Sequence, residues 1–207
     1  MKILAEREKL LAAFQTVASV APARSPKPIL QNIKLEVIEN TATLIATDME
    51  VGIRFDVPGI EVEQSGTAIL PVGQFGSILR ESSDEKLRVE LSDSGTLVQG
   101  DRSKFRLPSE NPAEFPEVAS FKEEQFHEVP ALLLREIVRR TVFATDIEST
   151  RYALGGVMLE MAEDKITAVG TDGRRLSKME GPAHAVGGHQ STEAQTIVPT
   201  RAMQLLE

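Results

Sequence analysis

Two carboxylates stand two residues apart in Asp48-Met49-Glu50. That spacing could hold a divalent cation and support metal-assisted hydrolysis. A second Thr-Asp pair follows at Thr171-Asp172, but there Asp172-Gly173-Arg174 puts a cation where Glu50 stands. The shared feature is an Asp after a Thr at a strand end, where its side chain can accept from nearby backbone N–H groups. A turn role is therefore favoured, and a metal-dependent hydrolase built on Asp48 and Glu50 is the minor alternative. His127, His184 and His189 lack ligand spacing to one another, and two of them fall in one polar loop, so they read as solvated. Cysteine is absent, which removes thiol nucleophiles, zinc–thiolate sites and disulfides. No GxGxxG, phosphate loop, GxSxG or HExxH occurs. No catalytic residue, metal or cofactor is expected.

The cations carry more information. Arg135 and Arg139 lie four apart on one helical stretch, opposite its apolar stripe. Arg140 lies to the side, within reach of Glu136. Arg24 and Lys27 sit in a proline-containing loop. Arg80 and Arg201 fall on the second helix of each half, and Arg174-Arg175 follows the second Thr-Asp pair. The net charge is −8, so the chain should not coat nucleic acid indiscriminately. A local surface of helix arginines could still meet phosphates without reading sequence. Aromatics are 4% of the chain and Tyr152 is its one tyrosine, so base-stacking platforms are not expected. The rival reading is an acidic repeat scaffold with no DNA role.

These residues need elements to place them. Met1–Ala5 reads as a strand, and Arg7–Val20 as a helix with Leu10, Leu11, Phe14, Val17 and Ala18 inward. A loop over Ala21–Pro28 leads to a meander, with strands at Ile33–Val37, Ala42–Ala46 and Val51–Val57. Ala68–Val72 is a strand ending at Pro71, which opens a helix bearing Phe75, Ile78 and Leu79. Leu87–Leu91, Thr96–Gly100 and Lys104–Leu107 complete the first half. Residues 108–122, with three prolines, read as a linker. Beyond it come a strand at Gln125–Val129 and a helix over Ala131–Phe143. Strands follow at Leu154–Met161, Ile166–Gly170 and Arg175–Met179. A loop over Pro182–Glu193 leads to a strand at Thr196–Val198, and Pro199 opens a helix still running at Glu207.

The order repeats. Shifted by 124 residues, Leu30–Asp48 overlays Leu154–Asp172 with 7 of 19 positions identical, Thr47-Asp48 on Thr171-Asp172 among them. A shift of 128 then sets Ile69-Leu70-Pro71 on Ile197-Val198-Pro199, the difference being absorbed in the loop after Pro182. The expected fold class is α+β, in two domains: 1–122, including the linker, and an incomplete 123–207. With no signal peptide and no run of 18 apolar residues, a cytoplasmic, membrane-free protein is expected.

The segments Met1-Lys2, Glu6-Arg7-Glu8, Leu10-Leu11, Arg24, Pro28-Ile29-Leu30 and Thr47-Asp48 resemble the bacterial sliding clamp family, the beta subunits of replicative DNA polymerase. Phe115-Pro116, Arg151-Tyr152, Leu154, Thr171-Asp172-Gly173-Arg174-Arg175-Leu176 and Val198-Pro199 continue the resemblance in the same order. It implies a DNA-clamp fold of repeated domains, each with two helices packed on antiparallel sheets. Three such domains per chain would close as a homodimeric ring around duplex DNA and tether the polymerase without catalysis. The third domain would be absent here. The resemblance implies DNA contacts at Arg24 and Tyr152, to which the charge pattern adds Arg80, Arg135, Arg139 and Arg201. It implies one wall of a peptide pocket for the polymerase, the clamp loader and repair polymerases, made by Leu154, Thr171, Gly173, Arg174, Arg175 and Leu176. It also implies a ring interface at Phe105 and Leu107. Gly73, Glu148, Ala153 and Arg174 depart from the residues frequent in relatives.

Overall fold

The computed structural model describes residues 1–92, 94–148, 151–189 and 196–206. It divides into two compact units, Met1–Ser120 and Phe121–Glu207.

In the first unit, β1 (Lys2–Glu6) runs straight into α1 (Arg7–Ala18). No side chain caps α1; its first amide, that of Arg7, donates to the Glu85 carbonyl at 2.9 Å. A 3₁₀ turn at Pro28–Gln31 precedes β2 (Asn32–Ile38), β3 (Thr41–Thr47) and β4 (Gly52–Asp56). Then come β5 (Ile60–Gln64), β6 (Gly66–Pro71), α2 (Val72–Glu81), β7 (Lys86–Ser92), β8 (Gly95–Gln99) and β9 (Lys104–Leu107). Two antiparallel sheets result, ordered β4-β3-β2-β6 and β5-β1-β7-β8-β9. The inward residues of both sheets and of both helices form one core, from Ile3, Leu35, Leu44 and Val89 to Leu10, Phe14, Phe75 and Leu79. Phe14 and Phe75 meet edge to face at 5.1 Å, joining α1 to α2.

The second unit repeats the plan with β10 (Phe126–Glu128), α3 (Ala131–Thr141), β11 (Gly156–Met161), β12 (Lys165–Thr171) and β13 (Leu176–Pro182). It continues with β14 (His184–Val186), β15 (Thr196–Pro199) and α4 (Thr200–Gln204). Its sheets are β10-β14 and β13-β12-β11-β15, over a core of Ile137, Val138, Val157, Ile166, Ala168 and Met203.

The repeat holds at the level of register. Lys34 pairs with Ile45 and Met158 with Val169; Lys34 also pairs with Ile69 and Met158 with Ile197. β1 pairs with β5 as β10 pairs with β14. Both β5 and β14 are additions to the expected strands. Ile60 and Val62 alternate with charged residues, and β14 lies within the expected loop over Pro182–Glu193, of which residues 190–193 lie outside the described residues.

Other boundaries move for physical reasons. α1 ends at Ala18 and α3 at Thr141, where the chain tightens into a 3₁₀ turn over Val142–Ala144. Tyr152–Leu154 is likewise a 3₁₀ turn, matching Pro28–Gln31, so β11 starts at Gly156. Pro71 and Pro199 close their strands as extended N-caps rather than opening the helices from within. α4 ends at Gln204, short of Glu207, which is outside the described residues. The proline-rich stretch after β9 is not a free linker throughout. Phe115 is buried against Ile45 and Ile69, Val118 packs beside it, and the Arg54 guanidinium donates to the Val118 carbonyl.

Candidate nucleic-acid interface and peptide site

In the first unit Arg24 and Lys27 are exposed in the loop after α1. Arg80 is exposed in the last turn of α2, where a cation suits the helix dipole, and it donates to the Ser77 hydroxyl at 3.1 Å. In the second unit Arg135 and Arg139 are exposed on α3. Glu136 takes both Arg139, at 3.5 Å, and Arg140, at 2.9 Å. Arg201 is exposed in the first turn of α4 and so does not match Arg80: the repeat sets it on Gly73 and sets Arg24 on Glu148. Tyr152 is 71% exposed and its hydroxyl donates to the Ile197 carbonyl at 3.3 Å.

Several strand cations are paired across their sheets. Lys2 and Arg88 share Glu63, Lys34 and Arg54 share Glu36, and Lys165 and Lys178 share Glu180. Those pairings draw the carboxyls of Glu36, Glu63 and Glu180 below their usual range, against the desolvation that opposes it. Arg24, Arg80 and Arg135 meet no carboxylate among the described residues.

The Thr-Asp pairs build the same turn in both units. The Thr47 hydroxyl donates to the Val51 carbonyl at 2.8 Å, and that of Thr171 to the Arg175 carbonyl at 2.8 Å. Asp48 Oδ1 accepts from the Glu50 and Val51 amides; Asp172 Oδ1 accepts from those of Arg174 and Arg175. Met49 and Gly173 occupy the left-handed position, at φ 80° and 84°. Asp48 is thus committed to a turn, and no cluster of three metal-ligating side chains occurs among the described residues.

This turn gathers Thr171, Gly173, Arg174, Arg175 and Leu176 at one end of the β13-β12-β11-β15 sheet. Leu154, half-buried in the 3₁₀ turn that opens β11, lies at the same end. Leu176 is 65% exposed. The Asp172 carboxyl is held below its usual range, first by the Arg175 amide, then by the Arg174 amide and the Arg175 guanidinium.

Phe105 and Leu107 lie on β9, an edge of the five-stranded sheet. Leu107 is 4% exposed and belongs to the core, whereas Phe105, on the same face of β9, is 39% exposed. The sequence reading missed the groove beside them, a cavity of about 550 Å³ between β9 and α2 lined also by Gly73, Gln74, Ser77 and Ile78. The spacing of Gln74, Ser77 and Ile78 on one helix was legible, but not which strand lies alongside.

His184 is exposed as expected, but the other two histidines differ from expectation. His127 Nε2 donates to the Ala162 carbonyl at 2.7 Å, and its Nδ1 stands 2.7 Å from Nδ1 of His189, ring edge to ring face. The pairing of β10 with β14 brings them together, which spacing alone could not reveal.

Two families of sequence match the chain: the N-terminal domain of the DNA polymerase III beta subunit at residues 1–119, and its central domain at residues 128–207. The beta sliding clamp of Chlamydia pneumoniae is 30% identical over 206 residues, covering 99% of this chain and 55% of that protein. The DNA polymerase III subunit beta of Pseudomonas aeruginosa superposes with a TM-score of 0.87 at 28% identity, over 100% of this chain and 56% of that one. A Pseudomonas aeruginosa sliding clamp bound to griselimycin aligns with a TM-score of 0.87 at 28% identity, over 100% and 55%. The chain thus spans about half the length of the relatives it matches.

Proposed function

The chain belongs to the DNA polymerase III beta subunit family, and from that premise we propose that it supplies two domains of a sliding clamp. The clamp encircles duplex DNA and tethers the replicative polymerase, the clamp loader and repair polymerases. It is a non-catalytic processivity factor: linkage to DNA raises the local concentration of the polymerase without new chemistry. Residues 1–122 and 123–207 act as its first and second domains. Arg24, Arg80, Arg135, Arg139, Arg201 and Tyr152 face DNA. Leu154, Thr171, Gly173, Arg174, Arg175 and Leu176 form one wall of the peptide pocket. The β9 edge with Phe105, and the groove against α2, is where another subunit closes a homodimeric ring.

One observation carries the DNA reading. The strand residues Lys2, Lys34, Arg54, Arg88, Lys165 and Lys178 are paired with carboxylates, whereas Arg24, Arg80 and Arg135, on or beside helices, meet none among the described residues. In each unit that leaves positive charge without a carboxylate partner on or beside a helix, in a chain whose net charge is −8. Removing an arginine that touches a phosphate should flatten the dependence of log affinity on log salt by about 1. Duplex affinity measured from low to physiological salt should therefore fall, with a shallower slope, in R24A/R80A/R135A and stay unchanged in R54A. Equal affinity of the triple variant at every ionic strength refutes the reading.

A further inference from the structure

We propose that Asp172 and Phe143 are positioning residues, which hold the Arg175 guanidinium in one orientation so that it presents Nη1 to an acceptor oxygen of a bound peptide. Arg175 Nε donates to Asp172 Oδ2 at 2.9 Å and Nη2 to the Phe143 carbonyl at 2.8 Å. The guanidinium carbon lies 5.6 Å from the centroid of the Phe143 ring, within cation–π range. Two nitrogens are thereby engaged, and Nη1 has no partner among the described residues. A guanidinium fixed in this way loses little further freedom when it donates to a ligand.

The first unit shows that the fold does not require this arrangement. It makes the same turn, with Asp48 Oδ1 on the same two amides, yet Val51 stands for Arg175 and Ser19 for Phe143. Gly170 takes the place of Ala46. A Cβ there would overlap the Thr141 carbonyl, so β12 approaches the end of α3 more closely than a side chain permits. That approach accompanies the reach of Arg175 to the Phe143 carbonyl. Gly173 would meet nothing within 4 Å if it carried a Cβ, so its side of the turn is open to a ligand.

The inference rests on the peptide-pocket reading, and its test separates the two. In D172N the amide keeps Oδ1 for the turn but offers N–H groups to Nε, so the turn survives and the tether is lost. D48N makes the same change where no arginine follows. With griselimycin as probe, backbone amide shifts of the wild-type chain should move at Thr171–Leu176. D172N and F143L should bind about 5- to 10-fold more weakly, R175A at least as weakly, and D48N as the wild type. The Arg175 Nε–H resonance, protected in the wild type and in D48N, should exchange rapidly in D172N. If griselimycin moves no amide of Thr171–Leu176, or R175A binds normally, the pocket reading falls. If R175A weakens binding while D172N and F143L do not, or if Nε–H protection persists in D172N, the positioning role falls alone.

Discussion

Replacing Gly100 with alanine should loosen the junction that spaces α2 from the edge strand β9. Gly100 follows β8, and its amide closes the β8–β9 turn on the Ser103 carbonyl at 2.9 Å. A Cβ at this position would overlap Oδ2 and Cγ of Asp84 and stand 2.8 Å from its Cβ. Asp84 has little freedom to retreat. Its Oδ2 accepts from Ser103 at 2.6 Å and Ser82 at 3.1 Å, and Oδ1 from the Arg102 amide at 3.3 Å. Arg7 binds the Asp84 and Leu79 carbonyls at 3.1 Å each, tying this knot to α1 and α2. Overpacking a well-filled site costs about 1–3 kcal/mol. Because the displaced carboxylate must also abandon hydrogen bonds, the upper half of that range is expected, near 2–3 kcal/mol. For a unit of this size, that lowers the melting temperature by roughly 8–12 °C. Thermal unfolding followed by circular dichroism reads it directly. In the D84A background most of the clash is gone, so G100A should cost distinctly less there than in the wild type. Additive costs, or a G100A melting point within about 2 °C of the wild type, would refute the argument.

The same knot sets a pH dependence. The Ser103 hydroxyl, with Ser82 and the Arg102 and Asp101 amides, holds the Asp84 carboxyl below its ordinary value although burial opposes it. Its contribution is therefore complete above about pH 3.9 and is withdrawn as pH falls from there toward the lower folded-state value. Melting curves across this window should fall more steeply for the wild type than for D84N. Met49 holds φ 80° where its counterpart is Gly173, and it is exposed. M49G should gain about 0.5–1 kcal/mol, because relief of left-handed strain exceeds glycine's entropic cost; a loss in denaturant titration would mean that the Met49 side chain contributes packing.

What the sequence made legible was what depends on period and order. Apolar alternation placed the two meanders, and the 124-residue shift aligned Thr47-Asp48 with Thr171-Asp172, whose hydrogen bonds coincide. What it hid depends on neighbours distant in the chain. Nothing local to Gly100 betrays Asp84, nothing local to Arg175 betrays the Phe143 carbonyl, and the His127–His189 contact waits on a strand pairing. Alternation puts Phe105 and Leu107 on one face of β9 and Lys104 and Arg106 on the other. It cannot tell that the first face is covered by the core at Leu107 and open at Phe105, because the cover comes from elsewhere in the chain.

Open strand edges invite pairing with whatever strand arrives, including another copy of themselves. The five-stranded sheet ends in β5 on one side and β9 on the other, and the two edges differ in sign. β5 carries Glu61 and Glu63, whereas β9 carries Lys104 and Arg106, for which no carboxylate partner occurs among the described residues. Two copies of β9 set antiparallel would bring lysine and arginine across from one another, and like charges directly opposed destabilise a strand pair. The edge thus discriminates against itself: sticking of identical strands, the usual route from an open edge to aggregate, is disfavoured, while a strand of different charge can still add to it.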